Sequence, residues 1–181
     1  FMDAGEYAAL CRRIVEFAGD AVISPSLWGE PSLHPDIGPI ITAALEAGET
    51  RVLIETSGIG WDEALLTSLA PVAPGRIEWI VSLDASEPDL YRSLRGEGLE
   101  EAEGTARRLQ ALFGDSVWVQ AVRMNENEEH LEDFHRKWTA EGFEVIIQKY
   151  DSGAGFLPER QPADLSPLNR FPCWHLKRDF P

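Results

Sequence analysis

Arg51-Val52-Leu53-Ile54-Glu55-Thr56-Ser57-Gly58 is the stretch on which the fold turns. Its β-branched and aliphatic centre reads as a buried strand, and Ser57-Gly58 ends it. Upstream, Pro35-Asp36 is a helix-start signal, and Ile37, Ile40, Ile41, Ala44 and Leu45 recur at helical period until Gly48. Downstream, a helix is predicted from Trp61-Asp62 to Leu69, broken by the Pro71 to Gly75 stretch, and a second strand over 77–83 ends at Asp84.

The same alternation continues in both directions. A helix is predicted over 3–18, with Cys11 on its apolar stripe as a small buried hydrophobe, followed by a short strand over 21–24. Further on come a helix over 101–113, a strand over 117–122, a helix over 128–140 and a strand over 143–148. Five strand candidates separated by roughly 20 to 35 residues have the cadence of parallel βαβ units. Periodicity fits an open or closed α/β barrel and a doubly wound sheet alike, and in either fold chemistry gathers at the C-terminal strand ends. Beyond Asp151 the composition turns to Gly, Pro and Asn, which marks an extended tail. The expected division is therefore 1–150 as the α/β unit and 151–181 as linker and tail.

With 44% hydrophobic residues the 181-residue chain has enough apolar surface for one sizeable core. A net charge of -15 repels phosphate backbones and anionic lipid headgroups, so neither nucleic acid nor a membrane is an expected partner. No segment has the length and apolarity of a membrane-spanning helix, and a cytoplasmic location is the expectation. Two cysteines far apart, Cys11 and Cys173, encode neither a disulfide framework nor a self-contained thiolate site. Because the chain opens on Phe1 and closes on Phe180-Pro181, a piece of a longer protein is expected.

Four motifs in order carry a family resemblance. Ser26-Leu27-Trp28-Gly29-Glu30-Pro31-Ser32-Leu33-His34-Pro35-Asp36 is similar to the segment after the second barrel strand of radical S-adenosylmethionine (SAM) enzymes. Glu55-Thr56-Ser57-Gly58 resembles that family's Thr-Asn-Gly ending of strand three. Val81-Ser82-Leu83-Asp84-Ala85, with Tyr91 and Arg95-Gly96, resembles its Ser-Leu-Asp-Gly, Tyr and Arg-Gly pattern. Asn169-Arg170-Phe171-Pro172-Cys173-Trp174 looks like the entry to a SPASM region, and the style of the motifs resembles the spirochaete-type SPASM proteins.

The resemblance implies a partial (β/α)6 TIM-like barrel comprising strands two to six, with an extended C-terminal tail. It places Gly29, Glu30 and Pro31 at the SAM amino group, where a glycine admits close backbone approach and a carboxylate pairs with an ammonium. Ser57, Ser82 and Asp84 would offer polar contacts to its ribose and carboxylate. Arg95 would pair with a carboxylate, and Gln120 and Arg123 would border the adenine. Cys173 would ligate an auxiliary cluster only within a full-length protein. A turn or capping residue is the lesser alternative for Asp84, while Arg95 reads equally as a surface charge; His34 and His175 read as structural histidines.

Radical chemistry in the family requires a [4Fe-4S] cluster on three closely spaced cysteines, and that triplet is missing here. Truncation of an active enzyme is the expected reason, so no catalytic residue is assigned in this chain. Such an enzyme would act on a peptide or protein substrate, and a fragment without strand one would expose an edge prone to self-association. Two other readings stay open: a cluster-free binding or assembly module, and a barrel hydrolase using Glu30, Glu55 and Asp84 as carboxylates.

Overall fold

A computed structural model describes residues 1–25, 29–72, 74–151 and 156–162. Ser26, Leu27, Trp28 and Cys173, with the rest of the SPASM-like motif and His175, lie outside the described residues.

The elements are α1 (Ala4–Phe17), β1 (Val22–Ile23), α2 (Ile37–Glu46), β2 (Arg51–Thr56), α3 (Glu63–Leu69) and β3 (Ile77–Ser82). They continue as α4 (Pro88–Arg95), α5 (Leu99–Phe113), β4 (Val117–Arg123), α6 (Leu131–Ala140) and β5 (Glu144–Lys149). All four strand pairings are parallel, and the strands lie side by side in chain order. A doubly wound sheet needs a point where the strand order reverses, and there is none among the described residues. Right-handed crossovers without a reversal put the helices on one face, which is the winding of a barrel. The sheet is five strands of such a barrel, left open.

Side-chain alternation shows the two faces. Ile77, Trp79 and Val81 of β3 and Val52 and Ile54 of β2 are buried against helical residues that include Ile41, Leu66, Leu109 and Trp138. Trp79 meets Trp61 edge-on at 5.0 Å and Phe113 at 5.4 Å, so one indole joins α5 to the loop before α3. The intervening Glu78, Ile80 and Ser82 are only half-buried on the opposite, concave face. β1 pairs with β2 alone, so it forms one edge of the sheet.

The predicted strands and helices fall within one to three residues of their observed places, with one exception. Residues 88–95 follow strand three in sequence as an apparent loop, but they form α4. Pro88 presets the first helical turn, Glu87 accepts the free N–H groups of Asp89 and Leu90, and Gly96 ends the helix. Glutamate is an uncommon N-cap, which hides the start. α5 begins at Leu99 rather than 101 because Gly98 adopts the left-handed conformation just before it.

α1 docks on α2 through its apolar stripe, where Cys11 is fully buried beside Tyr7. Burial pushes both the Cys11 thiol and the Tyr7 phenol up. In the pH range where the unfolded chain loses these protons, about 8.5 to 10, the folded chain keeps them. The unfolded state then binds fewer protons, so stability falls as pH rises. Urea midpoints are expected to drop from pH 7.5 to pH 10, and Cys11→Ala should flatten that slope; equal slopes would rule the thiol out as a contributor.

Candidate functional site

Glu30 sits in the loop after β1 and reaches across to the end of β2. Its Oε1 accepts a hydrogen bond from Thr56 Oγ1 at 2.5 Å and its Oε2 one from the Ser57 N–H at 2.6 Å, with the Ser32 N–H at 3.4 Å. Pro31 opens a short 3-10 turn, Pro31–Leu33, and is buried beneath it. Thr56 Oγ1 also accepts from the Gly58 N–H and from Trp61 Nε1, at 3.0 and 2.7 Å, so one hydroxyl links the carboxylate, the turn and the core tryptophan pair. Gly58 has φ +80°, and a Cβ there would lie 3.1 Å from Ala102 Cα and O; the turn requires glycine for both reasons.

Asp84, just beyond β3, is the one non-glycine residue with positive φ among the described residues, at 62°. Its Oδ1 accepts from the Val122 N–H at 2.7 Å and its Oδ2 pairs with Arg95 Nε at 2.8 Å. The left-handed backbone is secured from beneath by Asn127, which is fully buried. Asn127 Nδ2 donates to Asp84 O and Val122 O at 2.9 and 2.8 Å, and its Oδ1 accepts from the Met124 N–H at 2.8 Å. Gln120 Nε2 donates to Ser82 Oγ at 3.3 Å.

These contacts bring most of the sequence-selected residues together. Gly29, Glu30, Ser57, Ser82 and Arg95, with Glu55 and Thr56, line one cleft of about 350 Å³ at the C-terminal strand ends. Pro31, Asp84 and Gln120 do not line it: Pro31 is buried, Asp84 backs Arg95, and Gln120 backs Ser82. Arg123 stands apart. It forms a two-pronged pair with Glu128 at 2.6 and 2.5 Å, lines a separate cleft with Asn125 and His130, and holds the Glu128 carboxyl below its usual range.

Sequence reading passed over Asn127, which lies in an acidic loop with no motif to mark it. Thr56 was visible as part of the strand ending but not as the hub of the hydrogen bonds there.

The cleft's chemistry is that of a zwitterion site. Among the described residues Glu55 has no hydrogen-bond or ion-pair partner, Glu30 keeps unused lone pairs, Arg95 keeps donors beyond Nε, and Ser57 and Ser82 add hydroxyls. Carboxylates for an ammonium and a guanidinium for a carboxylate are the complement of an amino-acid head group. Glu30 and Asp84 each have both oxygens occupied by donors, so they are anchored acceptors, and nothing in the geometry favours a hydrolytic carboxylate pair. The described residues do not fit an iron–sulfur cluster: Cys11 is buried in the core, and no group of three His, Cys, Asp or Glu among them is placed to hold a metal.

No protein-family model matches the chain. It is 44% identical over 192 aligned positions, 99% of its length, to an uncharacterized protein of Treponema pallidum (strain Nichols), and spans about half (54%) of that protein. SuiB of Streptococcus suis superposes with a TM-score of 0.71 at 20% identity, covering 87% of this chain and 37% of SuiB. anSMEcpe with bound AdoMet and Kp18Cys peptide gives 0.67 at 13% identity, covering 82% of this chain and 43% of that one. A radical SAM methyltransferase from Sphaerobacter thermophilus gives 0.57 at 23% identity, covering 82% of this chain and 47% of that one. The fold is thus the open α/β barrel that these enzymes contain, of which this chain supplies five strands.

Proposed function

We propose that this chain is the SAM-binding portion of the barrel of a radical SAM enzyme. The observation that carries the reading is the single cleft that unites Gly29, Glu30, Ser57, Ser82 and Arg95 at the strand ends of a barrel. Structural neighbours with bound AdoMet support it. Glu30 and Glu55 would take the ammonium of SAM, Arg95 its carboxylate, and the two serines its hydroxyl groups; Pro31 shapes the loop. Asp84 and Gln120 act by holding Arg95 and Ser82, and Arg123 is a peripheral contact at most.

When bound to a [4Fe-4S] cluster and reduced, SAM supplies the carbon-centred radical chemistry of such enzymes. The cluster's ligands would come from outside the described residues, so this chain alone is proposed to bind SAM without cleaving it. A peptide or protein substrate is supported by the peptide-bound neighbour, and a SPASM branch of spirochaete type by the Treponema relative and the Cys173 segment. No described helix is long and apolar enough to cross a membrane, which agrees with a proposed cytoplasmic site of action. Self-association of the isolated chain is proposed through the open edge of β1, whose two-residue length leaves few backbone groups to pair.

Calorimetric titration tests the reading directly. SAM and S-adenosylhomocysteine are expected to bind, and 5′-methylthioadenosine, which lacks the amino-acid head, to bind at least about tenfold more weakly. Equal affinity for all three would remove the zwitterion argument, and no binding of any would remove the SAM assignment.

A further inference from the structure

Trp61 belongs to the core and to the cleft at once. It immediately precedes Asp62, whose Oδ1 caps α3 at the Leu65 N–H (2.7 Å), and its ring stands edge-on to the fully buried Trp79. Phenylalanine would supply an edge-on ring as well, so packing alone does not call for an indole. What the indole adds is an N–H. Trp79 and Trp138 bury theirs without a partner, whereas Trp61 Nε1 donates to Thr56 Oγ1 at 2.7 Å, in the wall of the cleft at the strand ends.

The hydroxyl of Thr56 has one proton to give and two lone pairs to receive with. Both lone pairs are taken by groups that only donate, the Gly58 N–H at 3.0 Å and the indole N–H. The proton therefore has one destination, Glu30 Oε1 at 2.5 Å. Thr56 is 3% exposed, so water competes little for these positions. With the Ser57 N–H on Oε2, the carboxylate is held through both oxygens in one orientation. Without the indole N–H one lone pair falls empty, and the hydroxyl turns away from Glu30 at lower cost. Its bond to the carboxylate also loses the polarisation that a chain of hydrogen bonds supplies.

We propose that Trp61 is a positioning residue: through the Thr56 hydroxyl, its indole N–H fixes Glu30 in the orientation that receives an ammonium. The ammonium is that of SAM on the reading above, on which this step rests; the coupling of Trp61 to Glu30 is a property of the chain itself. No hydrogen bond joins the two side chains directly among the described residues, so Thr56 carries the effect. Because Trp61 is locked by Trp79 and stands at the α3 cap, a loop carboxylate is tied to the rigid core. A carboxylate fixed before the ligand arrives has less rotamer freedom to lose on binding, which is the source of the gain in affinity.

Trp61→Phe keeps a ring against Trp79 and deletes the N–H; Thr56→Val deletes the hydroxyl through which it acts. In calorimetric titration of the full chain, Trp61→Phe should weaken SAM binding about fivefold, the scale of one neutral hydrogen bond. Thr56→Val should weaken it about tenfold or more, since it removes a bond to a charged group. Adding Trp61→Phe to Thr56→Val should cost nothing further, because the route is already cut. Affinity for 5′-methylthioadenosine, which brings no ammonium to Glu30, should stay at the wild-type value in every variant. Equal losses for both ligands, or a Trp61→Phe effect undiminished by Thr56→Val, overturns the proposal. A ligand-free cycle keeps that failure apart from a failure of the SAM reading. In urea, the stability lost by Trp61→Phe with Glu30→Ala should be smaller than the sum of the two single losses. Additive losses overturn the proposal even in a chain that binds no SAM; non-additive losses in such a chain leave Trp61 as the residue that positions Glu30 and remove only the ligand.

Discussion

Asn127→Ala is expected to lower the unfolding free energy by about 3 kcal/mol, from three lost hydrogen bonds at about 1 kcal/mol each and carbonyls left buried. For a chain of this size that is a fall of roughly 10 °C in melting temperature. The residue is fully buried and holds Asp84 O, Val122 O and the Met124 N–H together, so no water replaces the missing amide without a cavity forming. The consequence extends to the cleft. Asp84 stays at φ 62° only because the surrounding bonds over-determine it, and Arg95 takes its position from Asp84. Urea unfolding measures the first effect. For the second, SAM affinity should fall while that of 5′-methylthioadenosine, which has no carboxylate to meet Arg95, stays near the wild-type value. A parallel loss for both ligands would mean that Asn127 supports the fold and does not position Arg95.

That Asn127 was illegible in the sequence and Glu30 was not has a physical reason. Glu30 sits between Gly29 and Pro31, two residues with narrow backbone habits, and its partners Thr56 and Ser57 end a strand that β-propensity alone locates. Asn127 lies among Asn125, Glu126, Glu128 and Glu129, a run that reads as solvated loop. Its burial follows from the tertiary course of β4, which no local pattern encodes. α4 was hidden in the same way by a glutamate cap and a helix of eight residues. Strand cadence located all five strands, while the choice between barrel and doubly wound sheet depended on their lateral order, a non-local property. The division at residue 150 rests on composition alone, since 163–181 lie outside the described residues.

Glu30→Gln and Glu30→Ala should separate anchoring from ligand binding. The carboxylate ties the loop after β1 to the end of β2 through Thr56 Oγ1 and the Ser57 N–H. Alanine deletes both acceptors, and a loss of about 2–3 kcal/mol is expected, discounted from the full value of charged hydrogen bonds because the site is only part-buried. Glutamine retains one carbonyl oxygen for the Ser57 N–H and should cost about 1 kcal/mol, but its amide replaces the negative charge that an ammonium needs. SAM binding should therefore fall by about 100-fold in both variants, the scale of a charge-assisted contact of about 2.7 kcal/mol. Denaturant midpoints and calorimetric titration, read on the same preparations, give the two quantities side by side. Should glutamine bind SAM as tightly as wild type, Glu30 is a loop anchor only, and the ammonium would have to be assigned to Glu55, the cleft's remaining carboxylate.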